Sequence, residues 1–468
     1  MSGVHPRHLA PASSTPAGHL DGHVAAAHPL SPRAAQQHLP PLIRQLYRYE
    51  PQSLWQIETD RLPRDLRRLR ANARRFADDV LAPLALQVDA LPHWPVGQMP
   101  PVLQDLLVQA GRAGWLSDLL PWPLGSVPPL RARHSLQWAA SIKVEEFSRA
   151  CGGLMLLLSA HALGIAPLLL SGSVGAINRF LLPALRENQR GQPHLFAFAI
   201  TEPSAGSDAE DGHGAAVAKP ALVARRAPGG WVLNGRKCFI SGGDVAQSFT
   251  VFAALEVDGR SEGFESWTCF LVQRGMPGFR PVRTELKMGM RASGAAELEF
   301  VDVFVPDSHV VGGVRGGWAL NRQTLNLSRL PVASMAVGFA QAACDLAIDF
   351  ACRTQLGGQA LIHQQDVQLT LAQMLTETAS LRGHLWACAR AWSPRQGVAS
   401  MNKFHATDTA MNVIQQGMDL LGHQALRHDL RLEKVYRDCR LTQIFEGTNQ
   451  INRLAVIEDL QEDFLRRL

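Results

Sequence analysis

The sequence predicts an α+β protein that is mainly helical, with a compact β unit between two helical regions. Three observations support this prediction. Apolar residues recur every three to four positions before about residue 195 and after residue 316, which is the period of amphipathic helices. Between residues 196 and 312 apolar and polar residues alternate, as they do in strands. Of the 468 residues, 46% are hydrophobic and 19% charged, a composition typical of soluble globular proteins.

The same patterns place the predicted domain boundaries. We expect an extension over residues 1–60, an N-terminal helical domain over 61–195, a middle β domain over 196–313 and a C-terminal helical domain over 314–468. The first forty residues are rich in His, Pro, Ala and Ser and have no continuous apolar segment, so they are not a secretory signal. A disordered tail is our interpretation. Two arginines and one acid in this stretch leave a transit peptide as the alternative.

Helical periodicity defines the N-terminal domain. Between residues 65 and 91 the apolar positions follow the 3.6-residue period, at Leu66, Leu69, Ala73, Phe76, Val80 and Leu84. The longest apolar stretch, Gly152–Leu170, contains His161 and Pro167. A membrane span needs about 20 apolar residues, and proline interrupts helices. We therefore interpret this stretch as two buried helices and predict no membrane span.

The middle domain follows from alternation and from turn residues. Within residues 221–240 the alternation is broken at Pro228-Gly229-Gly230 and at Asn234-Gly235, which are both typical turn sequences. Three further segments have the composition of strands, at about residues 248–257, 267–272 and 296–306.

The C-terminal domain returns to the helical period. One segment places seven residues on a single stripe, namely Val367, Leu371, Met374, Leu375, Thr378, Leu381 and Leu385. The stripes here are wide, which indicates helices that pack on several sides in a bundle.

Composition and missing motifs exclude several classes of protein. The net charge of +5 is not concentrated in one stripe, so we predict no nucleic-acid binding. Seven cysteines without a CxxC pair indicate a reducing compartment, and we expect a cytoplasmic protein. The chain lacks GxGxxG after a strand, a Walker A loop, HExxH and GxSxG, which disfavours Rossmann, P-loop, zincin and α/β-hydrolase chemistry. No metal site is predicted.

Two segments of the middle domain suit a planar ligand that has a phosphate. The segment FAFAITEPSAGSD leaves a strand for a loop of small and hydroxyl residues, where Ser207 can approach a phosphate and Thr201 a ring edge. An ordinary surface turn is the alternative. The segment LNGRKCFISGG places the aromatic face of Phe239 and the hydroxyl of Ser241 on one strand face; a plain hairpin strand is the alternative there.

Two charged residues stand at the ends of predicted C-terminal helices. Arg353 closes an apolar helix, where an arginine is ordinarily a solvated terminus favoured by the helix dipole. Glu446 lies between Phe445 and Gly447, just before a helix. By itself it suits either a carboxylate base held among apolar groups or an acid that complements the first helical turn.

Four segments together resemble one family. FAITEPSAGSD, LNGRKCFISGG, KMGMRASGAAELEFVDVFVP and YRDCRLTQIFEGTNQINR resemble the acyl-CoA dehydrogenases in order and spacing, over about residues 62–468. The resemblance implies an N-terminal helical domain, a middle β-barrel-like domain and a C-terminal four-helix bundle. It also implies bound FAD, an acyl-CoA substrate, an electron acceptor such as an electron-transfer flavoprotein, and a homotetramer or at least a dimer.

The resemblance further implies the residues of the site. Cofactor contacts fall on Phe198, Ile200, Thr201, Gly206, Ser207, Phe239, Ile240, Ser241, Arg353, Gln355, His363, Gln364, Thr448 and Gln450. Substrate contacts fall on Ser207, Asn326, Arg329 and Gly447. Arg353 and Gln355 are expected to reach the FAD of a neighbouring subunit. Asp419 and His423 replace a Gln and a Gly of the family pattern, which disfavours a pyrophosphate contact at that segment.

The implied reaction is α,β-dehydrogenation of a fatty acyl-CoA to the trans-2-enoyl-CoA. A base takes the α proton and flavin N5 accepts hydride from Cβ. One branch of the family has its glutamate just before Arg329, where this chain has Ser328, so Glu446 is the implied base. A carrier-protein thioester, an oxidase or monooxygenase, and a non-catalytic relative are the alternatives. Met155 and Ser159, one helical turn apart in an apolar segment, favour an acyl chain of medium length or longer.

Overall fold

The computed structural model describes residues 38–46, 53–117, 120, 134–207, 220–257, 260–261, 266–391 and 394–467. Most of the predicted disordered extension, the proline-rich linker before residue 134 and Asp208 lie outside the described residues. The chain forms two compact units, residues 1–68 and 69–468. The first contains α1 (Pro41–Leu46) and α2 (Leu54–Asp60), and the unit boundary falls within α3 (Arg64–Phe76).

Helices form the first part of the larger unit. A π-helical turn, Ala77–Leu81, leads from α3 into the next helix. The following helices are α4 (Ala82–Asp89), α5 (Pro101–Arg112), α6 (Leu136–Ala150), α7 (Gly152–Leu170), α8 (Val174–Ala176) and, after a second π-helical turn at Ile177–Leu181, α9 (Leu182–Gln189). Ser135 caps α6 by accepting a hydrogen bond from the backbone N–H of Trp138. Every residue of α6 after Leu136 is buried.

The stretch Gly152–Leu170 is one helix, so the prediction of two helices is wrong. Pro167 lies inside α7, and burial of most of the helix stabilises it despite the lost backbone donor. Gly164 brings α7 against β1 (Phe196–Ala199), because a Cβ there would lie 2.6 Å from the carbonyl carbon of Phe196. By length and composition α7 and a later helix, Gly317–Arg353, could cross a membrane. However, 72% of each apolar window is buried within the protein, as in core helices.

A nine-stranded sheet forms the middle of the chain. After β1 come β2 (Val223–Ala227), β3 (Gly230–Ser241), β4 (Ser248–Val257), β5 (Arg260–Ser261), β6 (Trp267–Gln273), β7 (Phe279–Thr284), β8 (Ala295–Pro306) and β9 (Val310–Val311). The order is β7-β8-β3-β2-β4-β6-β9, and β1 and β5 also pair with β4. The turn predicted at residues 228–230 joins β2 to β3. The turn predicted at Asn234-Gly235 is wrong, because β3 continues through a bulge where Gly235 has φ 140°.

The C-terminal region is helical. It consists of α10 (Gly317–Arg353), the small hairpin of β10 (Gln355–Leu356) and β11 (Gln359–Ala360), α11 (Gln365–Ala389), α12 (Gln396–Leu421), α13 (Leu432–Thr442) and α14 (Asn449–Leu465). On the stripe predicted in α11, Leu371, Met374, Thr378, Leu381 and Leu385 are buried. Long helices flank a sheet in the observed order, and the predicted fold class is confirmed.

Candidate active site

Glu446 lies in the tight turn between α13 and α14. Its φ is 56° and that of Gly447 is 81°, so two successive residues are left-handed. For a residue other than glycine this conformation costs about 1 kcal/mol or more. The surrounding structure must therefore hold the turn, and it places the carboxylate in a half-buried position.

A buried lysine holds this turn. Lys403 on α12 is fully buried, and its Nζ donates to the carbonyl of Gly447 at 2.6 Å and to Oδ1 of Asn449 at 2.8 Å. Nδ2 of Asn452 donates to the same Gly447 carbonyl at 2.9 Å. The sequence analysis missed Lys403. Its signal is a lysine on the core face of α12, one turn before the buried residues Ala406 and Thr407.

The two base positions known from the family pattern meet in this structure. The hydroxyl of Ser328, on α10, donates to Oε2 of Glu446 at 2.6 Å. The same hydroxyl lies 3.0 Å from the carbonyl oxygen of Leu325. Ser328, which stands where one branch of the family has its glutamate, therefore contacts Glu446.

The loop after β1 is held by a buried ion pair. Nζ of Lys237 donates to Oε1 of Glu202 at 2.7 Å and to the carbonyl of Ile200 at 2.9 Å. Burial lowers the pKa of Lys237, and the carboxylate of Glu202 opposes that shift. Glu202 also accepts from the backbone N–H of Leu222 at 3.0 Å. The sequence analysis had assigned neither charged residue a part in the loop.

This loop reaches the Glu446 turn. Oγ of Ser207 accepts a hydrogen bond from the backbone N–H of Thr448 at 3.2 Å. Thr448 immediately precedes α14, and its Oγ1 lies 3.4 Å from the backbone nitrogen of Ile451 in the first turn of that helix. Two motifs that are 241 positions apart in sequence thus come together.

Phe239 presents an exposed aromatic ring beside this loop. It has φ 55°, and 60% of its surface is exposed. A register shift between Lys237 and Ile240 breaks the regular alternation that the sequence analysis assumed for Phe239 and Ser241. The backbone N–H of Cys238 donates to the carbonyl of Thr201 at 2.9 Å, so this bulge and the loop are adjacent.

The residues present fit a flavin nucleotide. Phe239 offers an apolar face to a planar ring, and Ser207 offers a hydroxyl to a phosphate. A Cβ built on Gly206 or Gly242 meets nothing within 4 Å, so a ligand has open space at both backbones. Phe198 and Ile240 are buried and support this surface from within. Ile200, Thr201 and Ser241 are half-buried.

Four predicted cofactor residues lie far from this surface. Arg353 is separated by 25 positions of α10 from Ser328, or about 37 Å of helix. Gln355, in the hairpin that follows, and His363 are exposed, and Gln364 is half-buried. A single chain therefore does not bring this group to the Glu446 site.

The predicted substrate residues differ in accessibility. Arg329 is 2% exposed and donates to Oγ of Ser400 at 3.0 Å. Asn326 is half-buried, and its Nδ2 donates to the carbonyl of Pro394 at 3.0 Å. Gly447 is in the turn itself. The contacts of Asn326, Arg329 and Gly447 to a substrate stay predictions. Gln450, predicted to contact the cofactor, is exposed on α14.

Two residues that depart from the family pattern, unlike Ser328, lie on the outside of this chain. Asp419 is exposed and accepts from Nε2 of Gln415 at 2.8 Å. His423 is also exposed. All seven cysteines are in the described part of the chain and are free thiols, as the sequence analysis expected.

A carboxylate that can take a proton thus stands beside a surface that can hold a flavin ring and its phosphates. A pairing of this kind on a helix–sheet–helix fold defines a flavin-dependent dehydrogenase. Comparison with known proteins narrows the class.

Three family models match successive parts of the chain. They are described as the acyl-CoA dehydrogenase N-terminal domain, middle domain and C-terminal domain, and they match residues 63–188, 197–303 and 315–461. The chain is 31% identical over 408 residues to the mitochondrial short-chain specific acyl-CoA dehydrogenase of Mus musculus, with 86% of this chain and 92% of the relative covered.

Solved structures agree. Butyryl-CoA dehydrogenase from Megasphaera elsdenii has a TM-score of 0.74 and 26% identity, with 86% of this chain and 99% of that chain covered. A chain of the structure described as the electron transferring flavoprotein of Acidaminococcus fermentans has a TM-score of 0.74 and 28% identity, with 85% and 98% covered. The protein belongs to the acyl-CoA dehydrogenase family; it is an oxidoreductase, and its cofactor is FAD.

Proposed function

We propose that the protein removes the α and β hydrogens of an acyl-CoA thioester and releases the trans-2-enoyl-CoA, with Glu446 as the base for the α proton. One observation supports this most strongly. The backbone hydrogen bond from Thr448 to Ser207 links the Glu446 turn to the predicted FAD loop. The base and the cofactor surface are thereby joined at one site.

The protein's own groups prepare the proton transfer. Lys403 and Asn452 hold the turn that presents the carboxylate, and the backbone N–H of Glu446 donates to the thioester oxygen as charge develops there. Bound FAD supplies the acceptor for the hydride that leaves Cβ. Phe239, Thr201 and Ser207 orient that cofactor.

We propose a short acyl group, in contrast to the medium or longer chain expected from sequence. Met155, one of the two residues on which that expectation rests, and Leu158, one turn further along α7, are both 0% exposed, so no water-sized space lies beside either side chain. A relative is named for short-chain substrates and a structural neighbour for butyryl-CoA. A series of acyl-CoAs from four to twelve carbons tests the proposal, and a kcat/KM maximum at eight carbons or longer contradicts it.

The assembly and the electron acceptor belong to the same proposal. Arg353 lies about 37 Å along α10 from Ser328, and Gln355, His363 and Gln364 follow it in the chain beyond the end of that helix. Their position supports a dimer or tetramer in which these residues contact a neighbour's FAD. An electron-transfer flavoprotein is the proposed acceptor, since one structural neighbour is described in those terms.

The domain boundaries at residues 61, 196 and 314 and a cytoplasmic location are kept as part of the proposal.

The test is the reduction of the bound flavin by acyl-CoA without oxygen. Glu446→Gln keeps the size and hydrogen bonding of the side chain but cannot accept the proton. We expect FAD content to be retained and flavin reduction to slow by about 10²–10⁴. Reduction within a few fold of the wild-type rate contradicts the assignment of the base. Rapid reoxidation of the reduced protein by oxygen instead favours an oxidase or monooxygenase.

A further inference from the structure

The hydroxyl of Ser328 has one proton and two acceptors within reach, and one of these acceptors is the proposed base Glu446. A serine hydroxyl has a single proton and donates to one acceptor at a time. Two acceptors are within reach, Oε2 of Glu446 at 2.6 Å and the carbonyl of Leu325 at 3.0 Å. The carboxylate is closer, and a hydrogen bond to a charged acceptor is about twice as strong as a neutral one.

We propose that Ser328 is a positioning residue for the base: its hydroxyl holds one carboxylate oxygen of Glu446 and thereby sets the orientation of the carboxylate that takes the α proton. The inference rests on the proposed role of Glu446. A half-buried glutamate in a left-handed turn has several side-chain rotamers, and a donor on another helix selects one of them. The glutamate absent from position 328 is thus replaced by a group that orients the glutamate at 446.

Because the Ser328 hydroxyl has a second acceptor, it can change its hydrogen-bond partner when Glu446 becomes protonated. During dehydrogenation the α C–H bond would break and its proton would form an O–H bond on Glu446, while bound FAD would supply the acceptor for the hydride that leaves Cβ as the C=C bond forms. The neutral carboxyl group no longer provides a charge-assisted acceptor. The Ser328 proton can then rotate to the carbonyl of Leu325, which is already within hydrogen-bond distance.

A side chain of the neighbouring helix α6 stabilises the turn of α10 that contains Ser328. Pro331 has no backbone N–H, so the carbonyl of Leu327, four residues earlier, lacks its usual helical donor. Nε2 of Gln137 on α6 donates to that carbonyl at 3.4 Å. The turn that contains Ser328 is therefore fixed by a side chain of a neighbouring helix, as a positioning role requires.

Other charged groups on the surrounding helices also affect how the reaction rate depends on pH. They are Arg329 on α10, Lys403 and Asp408 on α12, Arg440 on α13 and Arg453 on α14. Lys403 donates to Gly447, and Arg453 pairs with Asp408 at 2.7 Å. None of these residues changes in the Ser328 variants, so a difference between the variants reports the loss of the hydroxyl.

The experiment compares Ser328→Ala, Ser328→Thr and Ser328→Cys with the control Ser334→Ala in the FAD-loaded protein. Ser334 is a buried serine of the same helix whose hydroxyl donates to the carbonyl of Leu330 at 2.9 Å. We expect Ser328→Ala to slow flavin reduction about tenfold, because the charged carboxylate of Glu446 loses a hydrogen-bond donor that orients it. The effect should fall on kcat and not on KM. Threonine should restore the rate to within about threefold, whereas cysteine, a weak donor, should lie between.

The acid limb of the pH–rate profile is the second measurement. A donor to the carboxylate favours its charged form, so Ser328→Ala should move that limb to higher pH by about one unit, a tenfold change in proton affinity. An infrared titration of the Glu446 carboxyl, obtained by subtracting the Glu446→Gln spectrum, should show the same upward movement of the midpoint without turnover. Ser334→Ala should leave both midpoints unchanged.

Two results overturn the inference. An unchanged rate and midpoint in Ser328→Ala show that the hydroxyl bonds only Leu325. A slower rate with an unmoved midpoint and no recovery by threonine shows a structural role. The Glu446→Gln background separates this from failure of the proposed function: there Ser328→Ala should have no further effect. If Glu446→Gln itself retains its rate, the base assignment fails and the inference fails with it.

Discussion

At the residue scale, the site depends on buried charges that have defined partners. Lys403 and Lys434 are both almost completely buried on C-terminal helices. Lys403 donates to the turn that contains Glu446, whereas Lys434 pairs with Asp438 at 2.5 Å on α13. The two lysines can therefore be compared directly, because both are buried and only Lys403 contacts the active-site turn.

Replacing each lysine with methionine should separate turn geometry from stability. Removal of Lys434 leaves Asp438 as a buried charge that has lost its cation, which costs about 3–5 kcal/mol. Removal of Lys403 takes the donor from two buried neutral oxygens, which costs about 1–3 kcal/mol, so both variants should unfold at lower urea concentration. Lys403→Met should also lower kcat by tenfold or more, because the turn that contains Glu446 loses the hydrogen bond that fixes its backbone. Lys434→Met should retain the wild-type rate per FAD-loaded molecule. Equal kcat values in the two variants would show that the turn does not need Lys403.

At the element scale, α7 and β1 are joined through a histidine that stays neutral. Nδ1 of His161 accepts a hydrogen bond from the backbone N–H of Phe196 at 2.8 Å. Burial lowers the pKa of His161 to about 3. The unfolded chain binds a proton there near pH 6.5. Its contribution to stability is therefore complete above pH 6.5 and is lost as the pH falls towards 3.

His161→Asn should reduce this pH dependence. The asparagine Oδ1 can accept the hydrogen bond from Phe196, but the side chain does not titrate. From pH 6.5 to pH 5 the free energy of unfolding of the wild type should fall by about 2 kcal/mol more than that of the variant. Urea unfolding at a series of pH values measures the difference. Parallel curves for the two proteins would contradict the neutral state of His161.

The interior proline of α10 gives a second test at this scale. Gln137→Leu removes the side-chain donor to the carbonyl of Leu327, and we expect it to cost about 1–2 kcal/mol. In a Pro331→Ala background a backbone N–H can reach that carbonyl, so the same change should cost about 1 kcal/mol less. The double-mutant cycle cancels the effect of proline on the unfolded chain. A coupling energy near zero would mean that Gln137 does not replace the missing donor.

At the scale of the whole molecule, α14 exposes apolar side chains that the described residues of one chain do not cover. Among its residues, Leu454, Ile457 and Phe464 are 56%, 51% and 59% exposed, and they recur at helical spacing. Contiguous exposed apolar surface of this kind is typical of a protein interface. It supports the proposed oligomer independently of the distance between Arg353 and Ser328.

Ile457→Glu should weaken that assembly. A charge at the centre of an apolar interface is unfavourable when buried without a partner, so sedimentation velocity should show smaller species than the wild type. FAD content should fall with it if Arg353 contacts a neighbour's cofactor. Val174→Glu, at a valine on α8 that is 69% exposed, is the control and should leave the assembly unchanged. An FAD-loaded wild-type monomer would refute the proposal outright.

Much of this protein could be predicted from local pattern. Periodicity predicts the succession of helices, strands and helices because each element is encoded by neighbouring residues. The order of four motifs indicates the family, FAD and the dehydrogenase class. Local pattern also produced three errors, at Pro167, at Asn234-Gly235 and at Phe239. At the first two, packing from outside the segment decided whether the helix or the strand continued. At Phe239, a register shift between β3 and β8 interrupts the alternation.

The tertiary structure alone decided how the site is assembled. The partners of Glu446 and of its turn are Ser328, 118 positions away, and Lys403, 44 positions from Gly447. Nothing in the local sequence of any one segment encodes these pairs. They follow from how α10, α12 and α14 pack, because a hydrogen bond requires its two atoms within about 3 Å, and only the folded chain brings distant segments that close.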